Sequence, residues 1–213
     1  WAVNTEGRAS IAVACPADPA WLAQAERMYG AFATLKPVNL WIDDDVHPVL
    51  RADMHSACFC DVCLAEMARR IGRRMERTAL LKAIMADPPN PVRETWLEYQ
   101  GELDLNIITR LSRAVHAVSP GTRVSLMHSL VELHAAEGRR WNDLISALGM
   151  PPPLTRPGLG CYNDASSFII AEALGQARQC QAIMPVGIAQ APEIENYPHS
   201  RFAKSCRLVR AQM

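Results

Sequence analysis

The chain has 213 residues, enough to bury one sizeable core. Lys and Arg balance Asp and Glu at 22 each, so the net charge is zero, and no basic field points to nucleic acid or an anionic membrane. No apolar run nears the ~20 residues a membrane span needs; the longest, around 168–171 and 183–188, are short.

Taken in chain order, Ile11–Ala14 is a short apolar run that reads as a strand. Asp18 and Pro19 follow as helix cap and first helical residue. The helix they open carries Trp21, Leu22, Ala25, Met28, Tyr29 and Phe32 near helical spacing, to about Leu35. Val38–Ile42 reads as a buried strand that ends in Asp43, Asp44 and Asp45. A helix starts near Cys60 and runs to about Ile84, with a break at Gly72. Its arginines (69, 70, 73, 74 and 77) read as a solvated face, since Glu66 and Glu76 interrupt them.

Asp87-Pro88-Pro89-Asn90-Pro91 is a breaker. A long helix follows, from about Val92 to Ala117, with Trp96, Leu103, Ile107, Leu111 and Val115 inward. The next expected elements are a strand at Arg123–Met127, a helix at Arg140–Leu148, a strand at Gly158–Tyr162, a helix at Ser166–Ile183, a strand at Val186–Gln190 and a last helix at Phe202–Gln212. No repeat of solenoid period is present.

Strands that alternate with helices and are apolar without a period of two predict a parallel sheet covered by helices. No Gly-rich phosphate loop follows any strand. The polar residues fall at strand C-terminal ends: Asp43–Asp45, His128, Asn163 with Asp164, and Glu193 with Glu195. That is where a (β/α)8 TIM barrel keeps its chemistry. The expected fold is therefore α/β, a single barrel-type domain over 1–213.

Paired carboxylates on different strands suit glycoside hydrolysis, where one protonates the leaving oxygen and the other attacks or activates water. The candidates are Asp44 or Asp45 from one strand and Glu193 or Glu195 from a later one. Asp43 is expected to tie neighbouring strands together. The same triplet with His47 is also the donor set of a metal-dependent hydrolase, and a barrel that binds carbohydrate without turning it over is a third reading.

Cys58, Cys60 and Cys63 follow a C-x-C-x2-C spacing, which supplies three corners of a tetrahedral zinc site. Cys15 is the expected fourth ligand and His55 the second choice. Four protein ligands leave no open position, so the metal would be structural. The chain has seven cysteines, an odd number, and they are not spread as a disulfide framework. This points to a reducing, cytoplasmic setting. Cys161, Cys180 and Cys206 read as core residues. No signal-peptide pattern is seen at Trp1, and a start at Trp is expected of a processed chain or a piece of a longer one.

The order Cys15-Pro16-Ala17-Asp18-Pro19, Trp41-Ile42-Asp43-Asp44-Asp45, Cys58-Phe59-Cys60-Asp61-Val62-Cys63 resembles the family 42 β-galactosidases. Glu195-Asn196-Tyr197-Pro198 resembles their Glu-Gln-x-Pro on strand seven. The resemblance implies a (β/α)8 glycosidase acting on a β-linked carbohydrate, with Glu195 as nucleophile and Asp45 at the acid/base position. Asp44, at the place of a sugar-contacting Asn, is a second candidate for the acid. Cys15, Cys58, Cys60 and Cys63 match the zinc ligands. Trp41, His128, Tyr162, Asn196 and Tyr197 are the expected sugar-pocket residues, and a homo-oligomer is an expected assembly. The chain departs from the family where Asp45 replaces a Glu and Asp44 an Asn. Five expected strands, near Ile11, Val38, Arg123, Gly158 and Val186, are fewer than eight, which predicts an incomplete barrel of about strands three to seven.

Overall fold

The computed structural model describes residues 1–43, 57–129, 131–158 and 170–193. The expected helix at Phe202–Gln212 and the residues Cys161 and Cys206 lie outside them.

Helix α1, Pro19–Ala33, opens as the sequence predicts: the Asp18 carboxylate accepts hydrogen bonds from the backbone N–H of Ala20 and Trp21. Strand β1 is Asn39–Ile42. The helix expected from Cys60 to Ile84 is two, α2 at Asp61–Ile71 and α3 at Arg77–Ile84. They separate at Gly72, whose φ of 72° is left-handed and stops α2. Helix α4, Pro91–Val118, is 28 residues long, or about 42 Å at the usual rise. Asn90 caps it through the N–H groups of Val92 and Arg93. Strand β2 is Arg123–His128, followed by α5 at Val131–Ala136, α6 at Trp141–Leu148, β3 at Leu154–Pro157, α7 at Ile170–Ile183 and β4 at Ala189–Gln190.

The four strands form one parallel sheet in the order β1-β2-β3-β4. Sequential order is that of a (β/α) barrel; a doubly wound sheet reverses its order at a switch point. Register pairs Trp41 with Ser125 and Ile42 with Leu126, so these pairs share faces. Ile42, Val124 and Leu126 face a core filled by Leu22 and Ala33 of α1, Ile107, Ile108, Leu111 and Val115 of α4, and Leu144, Ile145 and Leu148 of α6. A second core surrounds the cysteines and contains Phe59, Met67, Leu80, Trp96 and Tyr99.

The strand expected near Ile11 does not form. Ser10 explains this: its hydroxyl accepts from the N–H of Ala12 and of Val13, which turns the run into a loop. Ile11 is exposed, and the ordered contact nearby is an antiparallel bridge between Val3 and Ala9. Strand β3 begins before the expected Gly158, because Leu154–Pro157 already pairs with β2 and β4. Strand β4 starts at Ala189 rather than Val186, since Gly187 turns the chain at φ 89°. Helix α5 has no counterpart in the sequence reading.

Candidate functional site

The described part of the site centres on four sulfur atoms. Cys15 sits just before the cap of α1, Cys58 and Cys60 precede α2, and Cys63 lies in its first turn. Their ligand atoms all lie within 4.8 Å of one another, and among the described residues this is the one group able to hold a metal ion. Cys15 Sγ is 3.6 Å from Cys60 Sγ and 3.7 Å from Cys63 Sγ, and Cys60 and Cys63 are 3.7 Å apart. A tetrahedron with metal–sulfur bonds of about 2.3 Å has edges of about 3.8 Å. The cluster therefore has the size of a tetrathiolate cage.

Backbone N–H donors support thiolate at this place. The N–H of Val3 donates to Cys58 Sγ at 3.3 Å and that of Cys60 at 3.4 Å. The N-terminus of α2 adds a positive field at Cys60 and Cys63. Hydrogen bonding with Cys15 holds the thiols of Cys58 and Cys60 below the usual range. Cys15 is pushed up by its bond with Cys58, and Cys63 by its bond with Cys15. Four close thiols thus share protons unevenly, and a divalent cation held here would favour the thiolate form of all four. Burial pushes the Tyr99 phenol up, with the neighbouring Cys63 adding to it. With all four corners filled by protein, the site is closed.

The cage also fixes the chain. Phe59, between two ligands, donates its N–H to the Val3 carbonyl at 2.8 Å and stacks on Trp96 at 4.8 Å. Residues 57–63, where the chain returns after the Asp triplet, are thereby tied to the N-terminal segment and to α4.

At the C-terminal end of the sheet, Asp43 follows β1 directly and is exposed. The Tyr29 hydroxyl of α1 donates to the Trp41 carbonyl at 3.2 Å and holds this strand end. Trp41 is partly exposed. It shares the Ser125 face of the sheet, opposite the helix-facing core. His128 lies on the other face. It continues the Val124 and Leu126 side, is 1% exposed, and packs against Trp141 of α6 and His134 of α5 with ring centroids at 4.9 and 5.3 Å. The structure thus does not bring His128 and Trp41 together.

Glu193 follows β4, and its N–H donates to the Pro157 carbonyl at 3.0 Å. Its carboxylate meets Arg156 of β3 at 2.8 Å, and Arg156 also reaches Met127 Sδ at 2.8 Å. Glu193 is thereby held by a cross-strand cation. Asp44, Asp45, His47, His55, Tyr162, Glu195, Asn196 and Tyr197 lie outside the described residues.

The sequence reading missed a buried charged group beside His128. Arg139 contacts Glu137 at 2.6 Å and Asp104 of α4 at 3.1 Å, and its guanidinium lies over Trp141. Single charged residues within helical and loop patterns carry no periodicity that would announce this triad.

No protein-family model and no curated protein matches the chain. Among solved structures, the chain is similar to the catalytic domain of β-amylase from Paenibacillus polymyxa, with a TM-score of 0.58 and 11% identity. The match covers 99% of this chain and 65% of that one, so the chain spans about two thirds of that domain's length. No helix among the described residues is long and apolar enough to cross a membrane. The likeness, with the sequential parallel sheet, shows an α/β fold of the barrel type, and it does not single out family 42.

Proposed function

We propose that the chain is the greater part of a (β/α)-barrel glycosidase that cleaves a β-linked glycoside, with Glu195 as nucleophile and Asp45 as acid/base. The observation that carries this reading is the place of Asp43 at the C-terminal end of β1, with Asp44 and Asp45 next in the sequence, in a sheet ordered like a barrel. The structural neighbour is by its name an amylase, hence a glycosidase, which supports the reaction class. Strands β1 to β4 would then stand for strands four to seven of an incomplete barrel. Asp44 is the alternative acid, and the pocket would be completed by Trp41, Tyr162, Asn196 and Tyr197.

In this mechanism the Asp45 carboxylic acid protonates the leaving oxygen while the Glu195 carboxylate attacks the anomeric carbon. Water, deprotonated by Asp45, then releases the sugar. The first step needs Asp45 in its protonated form. Zinc is the metal that suits four thiolates, and Cys15, Cys58, Cys60 and Cys63 would hold it. Its contribution would be structural, bracing residues 57–63, where the chain returns after the Asp triplet.

The test is hydrolysis of a panel of aryl β-glycosides by the full chain, beside Glu195→Gln and Asp45→Asn. The expected result is turnover that falls by about 10³-fold or more in each variant. Unchanged turnover in Glu195→Gln would remove the assignment. Sugar binding without turnover in the parent would favour the carbohydrate-binding reading.

A further inference from the structure

Register divides the side chains of the sheet between its two faces. Trp41 pairs with Ser125 and Met127 with Arg156, so these residues share the face opposite the helices. Glu193 joins them. The Ala191 N–H donates to the Thr155 carbonyl at 2.8 Å and the Glu193 N–H to that of Pro157 at 3.0 Å, which carries the β3–β4 pairing on past β4. In a barrel this face is the inner one, and branched apolar side chains ordinarily fill it. Here its C-terminal end holds a thioether, a guanidinium and a carboxylate side by side. Asp43, next after the pair of Ile42 with Leu126, ends β1 at the level of Met127. Neighbouring strands lie about 4.8 Å apart, so the backbones at Asp43 and Arg156 stand about 10 Å from each other across Met127. A pyranose ring with its hydroxyls can bridge that gap.

The buried Arg139 shows what Arg156 lacks. Arg139, with a side chain 3% exposed, meets two carboxylates, those of Glu137 and Asp104. The Arg156 side chain is 23% exposed and meets one, that of Glu193, at 2.8 Å. Its other contact, also at 2.8 Å, is the sulfur of Met127, a weak acceptor. Its Nε finds no acceptor among the described residues. A guanidinium carries five N–H donors in a fixed fork, and the described residues account for two of those of Arg156. Among the described residues it is also the one cation at this end of this face.

We propose, on the glycosidase reading of this end of the sheet, that Arg156 is a substrate-binding residue whose guanidinium donates to hydroxyl oxygen of a neutral sugar beside Met127. The substrate class follows from charge. Glu193 already offsets the guanidinium, and Asp43 adds a second carboxylate. Asp44, Asp45 and Glu195 lie within two residues of these acids in the sequence. A uronide, or a phosphorylated or sulfated sugar, would face that negative surplus, while a neutral glycoside would not. A hydroxyl can accept from Arg156 without displacing Glu193, because the fork has donors to spare.

The experiment is a cycle of paired changes in protein and substrate. The full chain and Arg156→Lys are each assayed on the aryl β-glycoside that the parent turns over best, and on its monodeoxy derivatives. Lysine keeps the charge beside Glu193 and loses the fork, so Tm should stay near the parent value. On the intact glycoside kcat/KM should fall by about 10- to 100-fold, the worth of a hydrogen bond from a charged donor. On the derivative that lacks the contacted hydroxyl, the two proteins should agree within about threefold. An unchanged kcat/KM, or an equal loss on every derivative, would overturn the proposal and leave the glycosidase reading intact. A parent that prefers the uronide would overturn it too. A second measurement needs neither turnover nor the lysine variant. The Met127 methyl signal, assigned through Met127→Leu, is followed in the methionine-methyl NMR spectrum of the parent as aryl thioglycosides of the same panel are added. It should shift saturably, since Met127 touches the guanidinium. A shift in a parent without turnover keeps Arg156 as a sugar contact and places the failure on the glycosidase reading. A signal that stays in place with every thioglycoside overturns the proposal.

Discussion

Cys15 and Cys63 bring their sulfur atoms to 3.7 Å across 48 positions of sequence, and so join the approach to α1 to the first turn of α2. Removing that link should be felt as stability rather than as chemistry, because the tetrathiolate cage leaves no position for substrate. We expect close to one zinc per chain in protein purified under reducing conditions. Chelation, or Cys63→Ser, should lower Tm by about 10 °C or more, which for a chain of this size corresponds to several kcal/mol. Protons compete with the metal for thiolate, so occupancy should fall as pH falls. Metal analysis against pH, beside melting curves, checks both points. A metal-free chain with an unchanged Tm in Cys63→Ser would remove the cage as a structural element.

Gly101 and Gly138 form a second long-range contact, of backbone against backbone. A Cβ on Gly101 would lie 2.3 Å from the Gly138 carbonyl oxygen, and one on Gly138 would lie 2.0 Å from that of Leu97. Gly138 also has φ of 63°, which an L side chain resists. Gly101→Ala should therefore destabilise by about 2–4 kcal/mol even though alanine is the better helix former. Gly138→Ala should cost at least as much. Urea titration of each variant measures this, and a stabilised Gly101→Ala would mean that α4 and the turn after α5 are not in contact.

These contacts show which parts of the fold were legible in the sequence. Asp18-Pro19 announces its helix because a cap is local chemistry, and the structure starts α1 there, while Asn90, read only as part of a breaker, proves to cap α4. The C-x-C-x2-C spacing with Cys15 was readable because thiolate ligation restricts spacing, and the four sulfurs do come together. Ile11–Ala14 misled because apolar character alone does not reveal that Ser10 would take up the backbone N–H groups. The face of His128 was hidden for a related reason. A residue at a strand end can turn to either side of the sheet, and only register with Val124 and Leu126 settles which. The fit of Gly101 to Gly138 joins residues 37 positions apart by geometry that leaves no periodic trace.

Arg139 supplies a third test. Its guanidinium is almost wholly buried between Glu137 and Asp104. Arg139→Met would leave two buried carboxylates without their cation and should cost about 3–5 kcal/mol, far more than a surface pair. Denaturant unfolding of Arg139→Met beside Arg140→Met gives the contrast, since Arg140 and Asp143 form a half-exposed pair whose loss should cost about 1 kcal/mol or less. Equal losses in the two variants would argue that the buried group is not a coupled unit.

Glu193 and Glu195 are two positions apart, and the structure gives reason to separate them. The Glu193 carboxylate is held by Arg156 at 2.8 Å, while its N–H is spent on Pro157. A carboxylate committed to a guanidinium is stabilised as an anion but is a poorer nucleophile, and moving it would strand Arg156 in a partly buried place. Glu193→Gln keeps a hydrogen-bonding oxygen for Arg156 and should cost about 1–3 kcal/mol of stability. Turnover of an aryl β-glycoside should stay within about tenfold of the parent if Glu193 only positions the strand end. Glu195→Gln should do the reverse, with stability retained and turnover lost. Arg156→Met adds a check: it leaves Glu193 without its cation, so it should destabilise more than Glu193→Gln does. If Glu193→Gln abolishes turnover with the fold intact, the nucleophile is Glu193, and the ion pair with Arg156 is part of the reaction rather than of the scaffold.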